Sequence, residues 1–295
     1  MPALVLPSFA KINWTLDVVG RRTDGYHELR TIYQTIGLAD RLEVMLTDDG
    51  AVDVRTDGMG VPDGPANLAH RAATAFFEAA GLAGRRGARV RIAKEIPAGG
   101  GLGGGSSNAA TTIVALERLT GVRLPDAKRF ALASELGADV PFFLVGGTVL
   151  GVGRGDEVYS LGDAPPAYLV VANSGTHVET ARAFRRYAEL TPPRTASIML
   201  SFLSALRLST LPTMVGNDLE GAVTSDHPEV AAARAALLET GAVEAWMTGS
   251  GASVVGIFES AGVAVSAVDA LAERGLWARA VETLDRRSYQ IALGL

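Results

Sequence analysis

The 295-residue sequence predicts an α+β protein of two domains. Three observations carry that reading. Strand-like and helix-like segments mix in both halves of the chain, its length suits roughly one to two domains, and Gly162-Asp163-Ala164-Pro165-Pro166 has the composition of a linker. The boundary is therefore expected near residue 160, separating residues 1–160 from residues 161–295.

The elements follow in order from their periodicity. Leu4 to Leu16 is a strand-like apolar run broken by Lys11. Leu42 to Leu46 and Val52 to Val54 alternate as half-buried strands do, with Asp48-Asp49-Gly50 as a turn between them. Asn67 opens a helix, NLAHRAATAFFEAAG, that closes at Gly81. Arg89 to Ile92 alternates again and leads to Pro97. From Asn108 to Leu119, the residues Ala109, Ile113, Leu116 and Leu119 share one helical face ahead of Gly121. A helix over Asp126 to Leu136 precedes GADVPFFLVGGTVLGVG. The second half holds a buried strand from Tyr168 to Ala172, a helix over Val230 to Leu238, and a strand from Ala245 into the turn Gly249-Ser250-Gly251. A strand from Val254 to Phe258 and a helix from Ala261 to Arg274 follow.

Composition excludes several classes of function. With 27 Lys and Arg against 32 Asp and Glu, the net charge of -5 supplies no global basic field for nucleic acid. No cysteine is present, so disulfides, thiolate metal sites and a cysteine nucleophile are all excluded, which suits a reducing cytoplasm. His27, His70, His177 and His227 are scattered without metal-ligand spacing. The N-terminal apolar stretch lacks a positive leader region and is interrupted by proline and Lys11, so it is expected to be structural. No window reaches the roughly 18 consecutive apolar residues of a membrane helix, and no repeat of 20 to 50 residues occurs.

The most informative segment is PAGGGLGGGSSNAA, Pro97 to Ala110, with six glycines among the seven residues from Gly99 to Gly105. Bare backbone can curl its amides toward one point and lets an anion touch the main chain. The helix that follows adds unsatisfied N-terminal amides and the positive end of its dipole, with Ser106, Ser107 and Asn108 as caps or ligands. A phosphate fits that description. A Walker-type P-loop does not, because no lysine follows the last glycine. Gly99, Gly101 and Gly104 satisfy G-x-G-x-x-G, but the acid expected about 20 residues on would be Glu117, inside the predicted helix, which disfavours a dinucleotide site.

These residues carry a resemblance. PAGGGLGGGSSNAA resembles the nucleotide-phosphate loop of the GHMP kinases, SFAKINWTL (residues 8–16) is similar to the first motif of that family, and MTGSGASVVGIF, Met247 to Phe258, is similar to its third. Gly20 to Asp40 and Glu135 to Phe143 resemble a branch acting on a cytidine diphosphate-linked polyol. The resemblance implies an N-terminal domain like the second domain of ribosomal protein S5 and a ferredoxin-like C-terminal domain. It also implies transfer of the γ-phosphate of ATP, with Mg²⁺, to a small-molecule alcohol, with no nucleic acid or membrane as partner.

Roles follow by position. The loop residues Pro97, Gly99, Gly100, Gly101, Gly103, Gly104, Gly105, Ser106, Ser107 and Asn108 would hold the triphosphate. Asn67, whose local setting is that of a helix cap, falls where the family has an asparagine near the nucleotide. Asp139 would be the catalytic base; its local sequence also suits a turn aspartate. Lys11, which could otherwise snorkel outward, would lie beside Asp139, orienting the hydroxyl and offsetting negative charge. Asn13 would contact the substrate near that hydroxyl. Tyr26 would stack on cytosine and His27 would hydrogen-bond it, although the pair also reads as a surface turn. Thr180 and Phe184 would close the other side of the base pocket, where Phe184 equally suits a helix core. Gly249-Ser250-Gly251 either supports phosphates or packs on the first loop. Trp14, where a leucine-like residue is usual, would reshape the substrate side, and the metal ligands stay open with the loop serines as candidates. The rival readings are a homoserine- or mevalonate-type kinase and a non-catalytic nucleotide sensor.

Overall fold

The structure is a computed structural model and describes residues 3–58, 60–190, 203 and 215–295. Met1 and Pro2, at the head of the apolar N-terminal stretch, lie outside them. Two sheets organise the chain. The first runs β3-β4-β2-β1-β8, from β1 (Leu4–Arg21), β2 (His27–Thr47), β3 (Val52–Asp57), β4 (Gly87–Ala93) and β8 (Gly216–Asn217). Strands β5 (Thr148–Gly153) and β6 (Glu157–Ser160) extend it beside β2. The second sheet, β11-β7-β10-β9, is antiparallel throughout. It comprises β7 (Tyr168–Asn173), β9 (Glu244–Met247), β10 (Ser253–Phe258) and β11 (Trp277–Glu282). This strand order, with helices in the crossovers, is the ferredoxin-like arrangement.

Helices α1 (Leu68–Ala79), α2 (Gly104–Thr120) and α3 (Asp126–Leu136) cover one face of the first sheet. Phe76, Ile113, Val114, Leu116, Phe142 and Phe143 are buried there. Helices α4 (Thr180–Leu190), α5 (Glu220–Asp226), α6 (Pro228–Glu239) and α7 (Ala261–Glu273) pack on the second sheet. The last helix, α8 (Arg286–Leu293), returns to the first core. There Tyr289 donates to the Phe143 carbonyl at 2.5 Å, directly behind the turn that carries Asp139. Among the described residues no helix is long and apolar enough to cross a membrane.

The two sheets meet through a third cluster that includes Ala10, Ile12 and Trp14 of β1 and Leu169, Val171, Trp246 and Val255. Trp14 and Trp246 stack with ring centroids 5.5 Å apart. Trp14 therefore lies in the contact between the sheets and not on the substrate side, a correction to its sequence reading. The cause is the pleat: β1 turns its even-numbered residues to the second sheet and leaves Lys11 and Asn13 on the opposite face. Breaks in the β1–β2 register between Phe9 and Lys11 and between Asn13 and Thr15 adjust which face each residue meets.

Trp246 Nε1 donates to the Asn13 carbonyl at 2.7 Å. Trp246→Phe leaves that buried carbonyl without a donor, so the expected loss of stability is about 1–3 kcal/mol. Equilibrium unfolding in urea measures it, and an unchanged midpoint would mean that this contact does not join the sheets.

Candidate active site

A cleft of about 1460 Å³ takes its lining from both halves of the chain, including the glycine loop, Lys11, Asn13, Tyr26, His27, Asp139, Thr180 and Phe184. Lys11 is only 3% exposed, so it does not snorkel outward. Its ammonium donates to Asn13 Oδ1 at 2.8 Å, lies 3.5 Å from Asp139 Oδ2, and stands 5.3 Å from the centre of the Tyr33 ring. A buried cation needs such partners. Asp139 follows α3 in a short turn anchored by the buried residues Pro141, Phe142, Phe143 and Leu144, and its side chain is 31% exposed. The carboxylate is thus held from behind and open in front. Tyr33 donates its hydroxyl to Asp139 Oδ1 at 3.0 Å, which leaves Oδ2 facing Lys11.

The glycine loop is fastened at both ends of its curl. Leu102 O accepts from Lys11 N at 3.0 Å, and Gly100 O accepts from Ser253 N at 3.3 Å. At Gly101, with φ +75, a Cβ would stand 2.4 Å from Thr248 O; at Gly103, with φ +70, it would meet Phe143 and Lys11. Both close approaches require glycine. The turn Gly249–Gly251 packs on this loop, and Gly249 N donates to Asn13 Oδ1 at 3.0 Å.

Helix α2 begins at Gly104, earlier than periodicity places it, with Gly103 as its cap in the left-handed conformation and no side-chain cap. This corrects the reading of the serines and Asn108 as caps. Ser107 is fully buried and bonded to Ser8 Oγ at 2.7 Å, away from the cleft. Ser106 lines the cleft, and Asn108 does so with its Oδ1 unpaired. Asn67 is a helix cap: its Oδ1 accepts from Ala69 N at 2.9 Å, and its Nδ2 donates to Thr56 and Pro62. Asn13 is similarly committed, with Nδ2 on Thr31 Oγ1 at 2.6 Å, so it orients Lys11 and the Gly249 turn from within.

At another part of the cleft His27 and Phe184 stack, with centroids 4.8 Å apart and planes inclined by 19°. Partial burial, then the positive charge of Arg21, push the imidazole below its usual range, which favours the neutral ring at neutral pH. Tyr26 is 59% exposed, with the Arg154 guanidinium 5.4 Å from its ring centre. Thr180 Oγ1 shares a hydrogen bond of 2.8 Å with Ser250.

Three lining residues escaped the sequence reading. Tyr33 reads as core from its apolar strand, and nothing local separates it from core. Arg154 sits in a turn with no signal beyond its charge. Lys94 was legible: Ala88, Val90 and Ile92 mark the inward positions of β4, and Lys94 continues that period. It pairs with fully buried Asp40, which also accepts from Glu95 N and Ile96 N at 2.9 Å, and it reaches the start of α2 beside Gly104.

The sequence and fold match known proteins. Residues 67–147 match the GHMP kinases N terminal domain and residues 199–275 the GHMP kinases C terminal model. The chain belongs to the GHMP kinase family, and it has the two-domain fold of that family. Among its relatives are the 4-diphosphocytidyl-2-C-methyl-D-erythritol kinases of Citrifermentans bemidjiense, 40% identical over 96% of this chain and 100% of the relative, and of Geobacter sulfurreducens, 38% identical over the same shares. A crystal structure of 4-(cytidine 5'-diphospho)-2C-methyl-D-erythritol kinase superposes with a TM-score of 0.80 at 36% identity, covering 95% of this chain and 99% of that one. A mevalonate kinase structure, at 14% identity and a TM-score of 0.70 over 96% and 99% of the two chains, shares the fold alone.

Tyr33 generates a testable expectation. Burial, then the charge of Asp139, raise its hydroxyl well above the usual tyrosine range, so it stays protonated and donating through about pH 10. Tyr33→Phe should lower kcat about tenfold, equivalent to about 1.4 kcal/mol, by an equal factor from about pH 6 to 10. A ratio that changes within that window would mean that the phenol titrates there.

Proposed function

We propose that this kinase transfers the γ-phosphate of ATP to the C2 hydroxyl of 4-diphosphocytidyl-2-C-methyl-D-erythritol, a step in isoprenoid precursor synthesis. One observation carries the reading: a single cleft joins an amide-rich loop, a carboxylate and ammonium pair, and an aromatic cluster of stacked His27 and Phe184 with exposed Tyr26. The two relatives and the structure at 36% identity bear this substrate in their names. Tyr26, His27 and Phe184 recognise cytosine by stacking and hydrogen bonding, and Thr180 supports that side of the pocket.

In this reading the amides of Gly99 to Gly105 and the positive end of α2 bind the nucleotide phosphates. Asp139 Oδ2 accepts the proton of the C2 hydroxyl as its oxygen attacks the γ-phosphorus. The bond from that phosphorus to the bridging oxygen breaks, and ADP leaves with the electron pair. The Lys11 ammonium orients the hydroxyl and offsets charge on the transferring phosphoryl group. Asn13 and Tyr33 hold the two charged groups in register.

Mg²⁺ would neutralise phosphate charge. Magnesium ordinarily takes few protein oxygens, the rest coming from phosphate and water. The donors fit that pattern: Ser106 lines the cleft with its hydroxyl toward Gly137, and Asp139 stands two residues further along. The division at residue 160 belongs to the same proposal, with residues 161–295 returning their last helix to the first core. The cysteine-free composition suits the cytoplasm.

ADP release with the cytidyl alcohol, mevalonate and homoserine as alternative acceptors tests the assignment. Turnover is expected with the cytidyl alcohol; phosphorylation of another alcohol in its place would refute it. Asp139→Asn and Lys11→Ala should remain folded and bind ATP while losing about a hundredfold or more in kcat. Activity close to native in either variant would remove that residue from the chemistry. CMP should raise the melting temperature of the protein, whereas no shift would argue against a cytosine pocket.

A further inference from the structure

His177 lines the cleft, and the reaction proposed above leaves it unused. The segment that carries it, between β7 and α4, is pinned on its own side. Gly175 N donates to Asn173 Oδ1 at 2.8 Å, and Thr176 Oγ1 donates to Glu229 at 2.5 Å. Glu229 in turn lies 3.5 Å from His227 Nδ1. The imidazole is thereby delivered onto the first bend of the glycine loop. A Cβ built on Gly99 would stand 2.9 Å from His177 Nδ1 and 3.3 Å from its Cε1.

No hydrogen bond or ion pair takes either imidazole nitrogen among the described residues. The facing elements, residues 97–108 and the turn at 248–252, carry no titratable side chain. On its own side the charged groups are Glu179, paired with Arg185 at 3.7 Å, and Glu229 with His227 behind Thr176. A histidine with free donors, set against a run of main-chain amides, has the chemistry of an anion ligand.

We infer that His177 is a further phosphate-binding residue, donating a hydrogen bond to a polyphosphate oxygen lying along Gly99 to Gly101. The inference rests on the reading of the glycine loop as a polyphosphate site. The second unit of the chain thereby supplies a side-chain contact to an anion otherwise held by main-chain amides. The contact is strongest with the imidazolium form, whose hydrogen bond to phosphate is charge-assisted. Two ligands bring such an oxygen to the cleft, the triphosphate of the donor and the diphosphate of the acceptor.

Calorimetric titration of the full chain with ADP plus magnesium chloride, and separately with CDP, distinguishes them. The comparison is native protein against His177→Gln and His177→Lys at one pH. His177→Gln should weaken at least one ligand about tenfold. The ligand affected identifies the source of the phosphate. His177→Lys, which keeps a cation, should recover part of the loss. Unchanged affinity for both ligands, or a loss in His177→Gln that His177→Lys does not reduce, overturns the role of His177. Failure of the native protein to bind either nucleotide overturns the reading of the loop as well.

Discussion

The site depends on the open edge of β1 at Lys11 to Asn13. Over these residues β1 has β2 on one side, and its other main-chain groups bond loops in place of a strand. Lys11 N donates to Leu102 O of the glycine loop, Asn13 N donates to Thr248 Oγ1 at 2.8 Å, and Asn13 O accepts from Trp246. Two segments distant in sequence, the glycine loop and residues 246–248, are therefore fastened to Lys11 and Asn13. Buried main-chain groups must be paired, so the edge can be satisfied only when both loops are seated. The same stretch presents the Lys11 ammonium to Asp139, which makes assembly of the fold and assembly of the charged pair one event.

Burial decides how that pair behaves. Taking a lysine out of water is unfavourable unless polar partners replace its hydration. Lys11 has Asn13 Oδ1, the Asp139 carboxylate and the face of Tyr33. Asp139 keeps its front open because the turn behind it is clamped by Phe142, Phe143 and the Tyr289 bond from the last helix. Preorganisation of this kind costs stability locally and is supported by apolar packing on the far side of each charged residue. The second half of the chain contributes Phe184 and Thr180 to the cleft, while Gly249 and Gly251 abut the first loop, so neither half lines the cleft alone.

Much of this was legible in the sequence. The strands around Leu42 and Val254 and the helices opening at Asn67 and Asp126 announce themselves by period and by punctuation. The glycine run announces a loop of bare backbone ahead of a helix, and the structure places that loop on the cleft. Lys11 was visible as a charge in an apolar strand, though strand period alone left its direction open. Long-range geometry was not legible. Tyr33 reads as core because its significance lies in Asp139, 106 positions away. The helix boundary at Gly104 was missed because glycine is a poor helix residue, and here close approach to Lys94 and Ile96 overrides propensity. Trp14 was misjudged because its partner, Trp246, comes from the other half of the chain.

A crystal structure of the protein with a non-hydrolysable ATP analogue and the cytidyl alcohol together tests the central claim most directly. The account predicts the triphosphate on the amides of Gly99 to Gly105, with its terminal phosphate and the C2 hydroxyl meeting at Asp139 and Lys11. A triphosphate seated elsewhere in the cleft, or a hydroxyl turned away from Asp139, would contradict it.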